Sequence, residues 1–196
     1  MIILKANKKN LKEVIKTAIR LIKKGEVIIC PTDTVYGLIC DATNEKAVEK
    51  LFKIKKRPKG KPVPIFVKDV KMAKKLALLN ANQEKFLKLS WPGKVTAVLK
   101  RRDKIKLYGV NKKTIGLRTP QYKFINQLLM IINSPLTGTS ANISNLPPST
   151  KIKEVLKQFK NQKYQPDLVI DAGNLKKSRP SIVLDLTTSP TKILRK

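Results

Sequence analysis

The chain has no histidine and only two cysteines, Cys30 and Cys40, among its 196 residues. That leaves no zinc site of the usual nitrogen and sulfur type, and both cysteines read as small buried hydrophobes rather than a redox pair. Carboxylates are scarce: 13 Asp and Glu stand against 43 Lys and Arg, a formal net charge of +30. Long apolar runs are missing too. Residues 27–30 and 128–132 are far too short to cross a bilayer, so no membrane contact is expected. Met1-Ile2-Ile3-Leu4-Lys5 leads straight into a lysine-rich helical pattern. No apolar core and small-residue cleavage site of a secretory leader are recognisable there, which makes the cytoplasm the expected compartment. Aromatic residues make up 5% of the chain, few for a surface built on base stacking.

What abounds is lysine, with 36 Lys against 7 Arg. Such a charge suits a polyanionic partner such as RNA. Lysines spread through nearly every segment beside many Ile and Asn also follow from A+T-rich codon usage, so the charge alone leaves both explanations open. Arginine is more informative, because its planar fork binds carboxylate and phosphate in ways lysine does not. Arg57, Arg118, Arg179 and Arg195 fall in or beside the motifs described below.

A chain of this length fits one domain, residues 1–196, burying about two-thirds of its unfolded surface. Residues 11–24 place Leu11, Val14, Ile15, Ala18, Ile19 and Ile22 at helical spacing, opened by Asn10 with Glu13 and closed by Gly25. The apolar run at 27–30 follows as a buried strand. A second helix is expected at 44–56, then a strand at 63–67. Helical patterns recur at 69–79, 82–89, 121–132 and 150–160. Short β-rich runs recur at 95–99, 114–118, 135–139, 167–171, 181–186 and 191–195. This alternation predicts an α/β domain, and the strand-rich C-terminal third predicts a mixed sheet.

Polar loops punctuate the strands. Pro31-Thr32-Asp33-Thr34-Val35-Tyr36-Gly37 places hydroxyls and a carboxylate at a strand end, where ligands bind in α/β sheets; an ordinary hydroxyl-satisfied turn is the plainer reading. Lys55-Lys56-Arg57-Pro58-Lys59-Gly60-Lys61-Pro62 carries five cations in its first seven residues at a helix C-terminus. They complement the helix dipole, and the prolines would pre-set Arg57 and Lys61 toward one anionic point, though a solvated basic loop is the commoner outcome for such a run. Trp91-Pro92-Gly93 reads as a structural connection with one large anchor. Arg118 ends the run at 114–118 before Pro120, placed either to hold a carboxylate bidentately or to sit on a surface edge. Thr137-Gly138-Thr139-Ser140-Ala141-Asn142-Ile143-Ser144 gathers small donors and, as expected of a phosphate loop, exposed amides. No Walker or Gly-x-Gly-x-x-Gly motif occurs.

Taken in order, six motifs resemble the YrdC-like threonylcarbamoyl-AMP synthases. These are Pro-Thr-Asp-Thr-Val-Tyr-Gly-Leu at 31–38, Lys55 and Arg57 with Pro58, Trp91-Pro92-Gly93, the arginine strand ending at Arg118, Ser140 with Asn142, and Ser181-Ile182-Val183-Leu184-Asp185. The length is similar to that of the short single-domain branch. The resemblance implies a twisted mixed sheet flanked by helices around a basic cavity. It also implies a nucleotidyl transfer in which L-threonine, bicarbonate and ATP, with Mg²⁺, give threonylcarbamoyl-adenylate and pyrophosphate for tRNA modification, with a tRNA threonylcarbamoyltransferase taking up the product. Carried over by position, Lys55, Arg57, Ser140 and Asn142 form the catalytic set; Thr34, Arg118 and Ser181 contact threonine; Arg57, Lys61, Thr114, Ser140, Asn142 and Arg195 contact ATP. No metal ligand is assigned. Phe66 stands where longer relatives carry a histidine, Asn145 replaces a glycine, and Arg179-Pro180-Ser181-Ile182 replaces Glu-Ser-Thr. Two other readings stay open: a non-catalytic module holding double-stranded RNA, and a related transferase acting on another acid.

Overall fold

In the computed structural model, which describes residues 1–196, the lysine-rich N-terminus separates into β1 (Ile2–Lys5) and α1 (Leu11–Lys23). Val14, Ile15, Ala18 and Ile22 form the buried face of α1, as their spacing predicts. Asn10 makes no side-chain cap on this helix; its amide turns back to Lys5 O at 2.8 Å. Then come β2 (Ile28–Cys30), β3 (Gly37–Ile39), α2 (Glu45–Lys55), β4 (Ile65–Phe66), α3 (Val70–Leu76), β5 (Ala77–Leu78), α4 (Ala81–Ser90), β6 (Val95–Arg101) and β7 (Thr114–Arg118). The chain continues through α5 (Lys123–Ile132), β8 (Leu136–Thr137), β9 (Thr139–Ser140), α6 (Ile152–Phe159), β10 (Leu168–Asp171), β11 (Ile182–Asp185) and β12 (Lys192–Arg195).

The strands form two mixed sheets rather than one. A five-stranded sheet runs β1-β10-β2-β3-β9, parallel from β1 to β2 and antiparallel beyond. A seven-stranded sheet runs β12-β11-β6-β7-β4-β8, with β5 paired to β6. Period-two alternation sends the residues of the first sheet into two cores. Ile28, Cys30, Ile39, Leu168 and Ile170 pack with α1 and α5, whereas Val27, Ile29, Leu38, Cys40 and Val169 pack with α2 and α6. Because both faces are covered, the run at 27–30 is apolar throughout.

The chain passes from one sheet to the other at Gly138, between β8 and β9. The run expected as one strand at 135–139 is therefore divided. A Cβ at Gly138 would lie 2.5 Å from two carbons of the Phe66 ring, so a side chain is excluded where the sheets meet. Three further differences from the sequence reading are local. Residues 2–5 are a strand, β3 follows directly on the polar loop, and the helix expected over 69–79 stops at Leu76 so that Ala77 and Leu78 can pair with β6. Asn44, Asp69 and Asn80 cap α2, α3 and α4 through their side chains. Each such cap contributes about 1 kcal/mol. No helix is long and apolar enough to cross a membrane.

Candidate active site

The turns around the seam between the sheets line a cavity of about 400 Å³. Five cations reach its wall, Lys55, Arg57, Lys61, Arg118 and Arg195, and no carboxylate does. Thr34, Ser140, Asn142 and Ser181 line it as well. Of the site residues expected from the sequence, Thr114 alone stands apart. It lines a neighbouring cleft of about 280 Å³ that shares Pro62, Pro64 and Thr96 with the cavity.

The 31–37 loop links the antiparallel strands β2 and β3 and is braced from within. Thr32 Oγ1 donates to Val35 O at 2.6 Å, Thr34 N–H donates to Thr32 Oγ1 at 3.2 Å, and the two threonine hydroxyls lie 3.2 Å apart. Tyr36, fully buried, donates its hydroxyl to Gly173 O and receives Ala172 N–H. These bonds hold Thr34 against the cavity with little freedom to lose on binding.

Helix α2 ends with Lys56 in the left-handed region, φ 50°, and delivers Lys55 and Arg57 to the cavity. Lys55 is 2% exposed. Its ammonium donates to Ser140 O at 2.7 Å, Asn142 O at 2.9 Å and Asn142 Oδ1 at 3.0 Å. Burial, and then the charges of Arg57 and Lys61, pull its pKa down to about 7. With all three of its protons engaged, Lys55 is a scaffold for the Ser140-Asn142 turn. Lys55 nevertheless lines the cavity beside Arg57. Arg57 donates from Nε to Lys61 O and from Nη2 to Pro62 O, which closes the basic loop into one rigid unit. Burial lowers its pKa as well.

The Ser140-Asn142 turn is fully knitted. Ser140 Oγ donates to Asn142 Oδ1 at 2.6 Å, while Asn142 Nδ2 donates to Ile143 O and Leu146 O. The sequence suggested free amides here for phosphate. Instead Ala141 N–H is bonded to Tyr36 O, Asn142 N–H to Ser140 O, Ile143 N–H to Gln158 Oε1 and Ser144 N–H to Lys55 O. An anion in this cavity therefore meets cationic side chains and hydroxyls rather than an amide nest.

Arg118, at the end of β7 between β4 and β6, is 4% exposed and not an edge residue. Its Nε donates to Gly93 O at 2.9 Å, and its Nη2 donates to both oxygens of Asp33 at 2.8 Å. Nη1 is left without a protein partner. Burial lowers the Arg118 pKa, and Asp33 opposes that shift. Ser181 Oγ lies 3.0 Å from Thr96 Oγ1 and accepts from Arg195 Nη2 at 2.9 Å. The β11–β12 pairing thus folds Arg195 back over Ser181. Phe66 lines the cavity with its ring against Gly138. Trp91 is a packed anchor, as expected, with Nε1 donating to Val95 O.

Sequence reasoning left out Asp33, Thr96 and Tyr36 as individual site residues. Asp33 carried a signal, being the one charged residue in its loop within a chain of few carboxylates. Thr96 and Tyr36 carried none, since a threonine inside a strand and a tyrosine after a turn are ordinary.

Comparison with known proteins agrees with this architecture. The Sua5/YciO/YrdC family model, described as telomere recombination, matches residues 20–196. A Methanocaldococcus jannaschii protein is 37% identical over 180 residues, 92% of this chain and 84% of its own. The threonylcarbamoyl-AMP synthase of Psychromonas ingrahamii is 30% identical, covering 87% of this chain and 91% of its own. The crystal structure of Pyrococcus abyssi Sua5 complexed with L-threonine superposes with a TM-score of 0.86 at 30% identity, over 99% of this chain but 56% of the longer Pyrococcus chain. On the strength of the match over residues 20–196 and of these relatives, the chain belongs to the Sua5/YciO/YrdC family.

Proposed function

We propose that this chain is an enzyme of the adenylyl-transferring kind, a threonylcarbamoyl-AMP synthase acting on L-threonine, bicarbonate and ATP. The observation that carries this reading is a cavity with five cations and no carboxylate on its wall, joined by the hydroxyls of Thr34 and Ser181. Three anionic groups must meet there: the carboxylate of threonine, the carbamate formed on its nitrogen, and the triphosphate. Fixed cations on the cavity wall offset their repulsion without reorganising during the reaction. The Psychromonas synthase and the threonine-bound Pyrococcus structure support the choice of substrate.

In this reading Arg118 Nη1 and the Thr34 and Ser181 hydroxyls hold threonine, while Arg57, Lys61 and Arg195 face the phosphates. Lys55 and Asn142 hold Ser140 in place between them. Thr114 meets the nucleotide only if ATP extends into the neighbouring cleft. The threonine amine adds to carbon dioxide derived from bicarbonate, forming the N–C bond and releasing a proton. A carbamate oxygen then attacks the α-phosphorus, the bond to the bridging oxygen breaks, and pyrophosphate leaves with that electron pair. Proximity within one cavity and charge stabilisation on the phosphoryl oxygens supply the acceleration. The donor set does not fit a protein-held Mg²⁺, because no three His, Cys, Asp or Glu side chains converge and the cavity wall lacks carboxylates.

The product is a mixed anhydride, which suits transfer of its threonylcarbamoyl group to tRNA by a separate transferase. The alternative of a non-catalytic duplex-RNA module has the charge in its favour, but a cavity of about 400 Å³ suits small molecules and cannot admit a duplex. Pyrophosphate release from ATP tests the reading: it should require both threonine and bicarbonate. Arg57→Ala should lower the rate by about 100-fold or more, the cost of removing a transition-state charge contact. Release that is indifferent to threonine, or an Arg57→Ala enzyme as fast as wild type, would count against it.

A further inference from the structure

We propose that Asp33 is the positioning residue of the threonine subsite, a role that rests on the function proposed above. Asp33 lies next to Thr34, and its side chain is 7% exposed against 5% for its partner Arg118. Both of its oxygens accept from Arg118 Nη2, each at 2.8 Å. The same carboxylate accepts Gln121 N–H at 3.1 Å, and Gly93 O holds Arg118 Nε at 2.9 Å. Two of the guanidinium's three nitrogens are thereby engaged within the protein.

The guanidinium cannot turn without breaking these bonds, and the edge left over is Nη1. Asp33 thus joins the loop that carries Thr34 to the strand end that carries Arg118, 85 residues away in sequence. This contact ties the position of the Thr34 hydroxyl to that of Arg118 Nη1. A ligand held at its hydroxyl or amine end by the loop and at its carboxylate by Arg118 needs that separation fixed. The residue does not touch the substrate; it acts through Arg118.

Charge and geometry make different predictions here, which allows them to be separated. If Asp33 mattered only as a negative charge near the carboxylate site, removing it would strengthen attraction for threonine. If it matters by position, moving the carboxylate by one methylene is harmful although the charge is kept. Asp33→Glu and Asp33→Asn are therefore compared with wild type by L-threonine calorimetry and by steady-state kinetics, with thermal melting to verify folding. The expected result is a rise of about tenfold or more in the threonine Kd and KM for both variants, the scale of a misplaced binding group, with the ATP KM within about twofold of wild type. Wild-type threonine affinity in a folded Asp33→Glu variant, tighter threonine binding in Asp33→Asn, or equal losses for ATP and threonine would each overturn the proposal. A wild-type protein that neither binds nor turns over threonine would remove the functional reading and this inference together. An active wild type with an unaffected Asp33→Glu variant would remove the inference alone.

Discussion

Lys55 carries opposing demands. Three acceptors from the Ser140-Asn142 turn ask for an ammonium, while burial and the neighbouring Arg57 and Lys61 charges draw its pKa down from 10.5 to about 7. Because the folded value lies below the unfolded one, the penalty is complete below pH 7 and is relieved as the pH rises toward 10.5, where the unfolded chain alone holds the proton. A bound triphosphate brings negative charge beside the ammonium and shifts its pKa back upward. ATP binding at about pH 7.5 should therefore take up a proton. Calorimetry in two buffers of different ionisation enthalpy measures this directly, and the uptake should vanish in Lys55→Met. Binding without proton uptake would show that Lys55 does not sense the nucleotide. The cations themselves were legible in the sequence, because Lys55, Arg57, Arg118 and Arg195 sit in recognisable runs. Their partners were not. The carboxylate on Arg118 and the acceptors on Lys55 come from segments 85 and 87 residues away, and no local pattern encodes such a pairing.

Among the elements, the helices were the most legible, since an apolar face at helical spacing is written along one stretch of chain. Strand content was legible too, but not its division between sheets. Residues 135–139 read as one β-rich run, yet the chain changes sheets at Gly138, where Phe66, far off in sequence, packs against its bare Cα. The same junction places Ser140 and Asn142 across from Lys55, so the site depends on it. Gly138→Ala drives a methyl to 2.5 Å from the Phe66 ring. It should cost about 1–3 kcal/mol, as overpacking does. The melting temperature should fall by several degrees. Phe66→Ala should relieve the clash in the double variant, which should be less destabilised than the two single losses summed. Strict additivity would mean that the ring and the glycine do not form the junction described.

For the molecule as a whole, the net charge of +30 resolves into a local and a diffuse part. Five cations are committed to one cavity; most of the remainder are lysines on the surface. The diffuse part is screened by salt within about 8 Å at physiological ionic strength and steers anions generally. It acts on ATP, which is highly charged, far more than on zwitterionic threonine. Raising the salt from about 50 to 500 mM should therefore raise the ATP KM several-fold while leaving the threonine KM within about twofold. Equal salt sensitivity of both would contradict this division. The central claim is that threonine, a carbon dioxide unit and AMP are joined in one cavity. Incubation with ATP, L-threonine and isotope-labelled bicarbonate, followed by mass spectrometry of the adenylates, tests it most directly. The account predicts one adduct carrying the labelled carbon between the threonine nitrogen and AMP, formed together with pyrophosphate. Pyrophosphate release without labelled adduct, or an adenylate lacking the label, would contradict it.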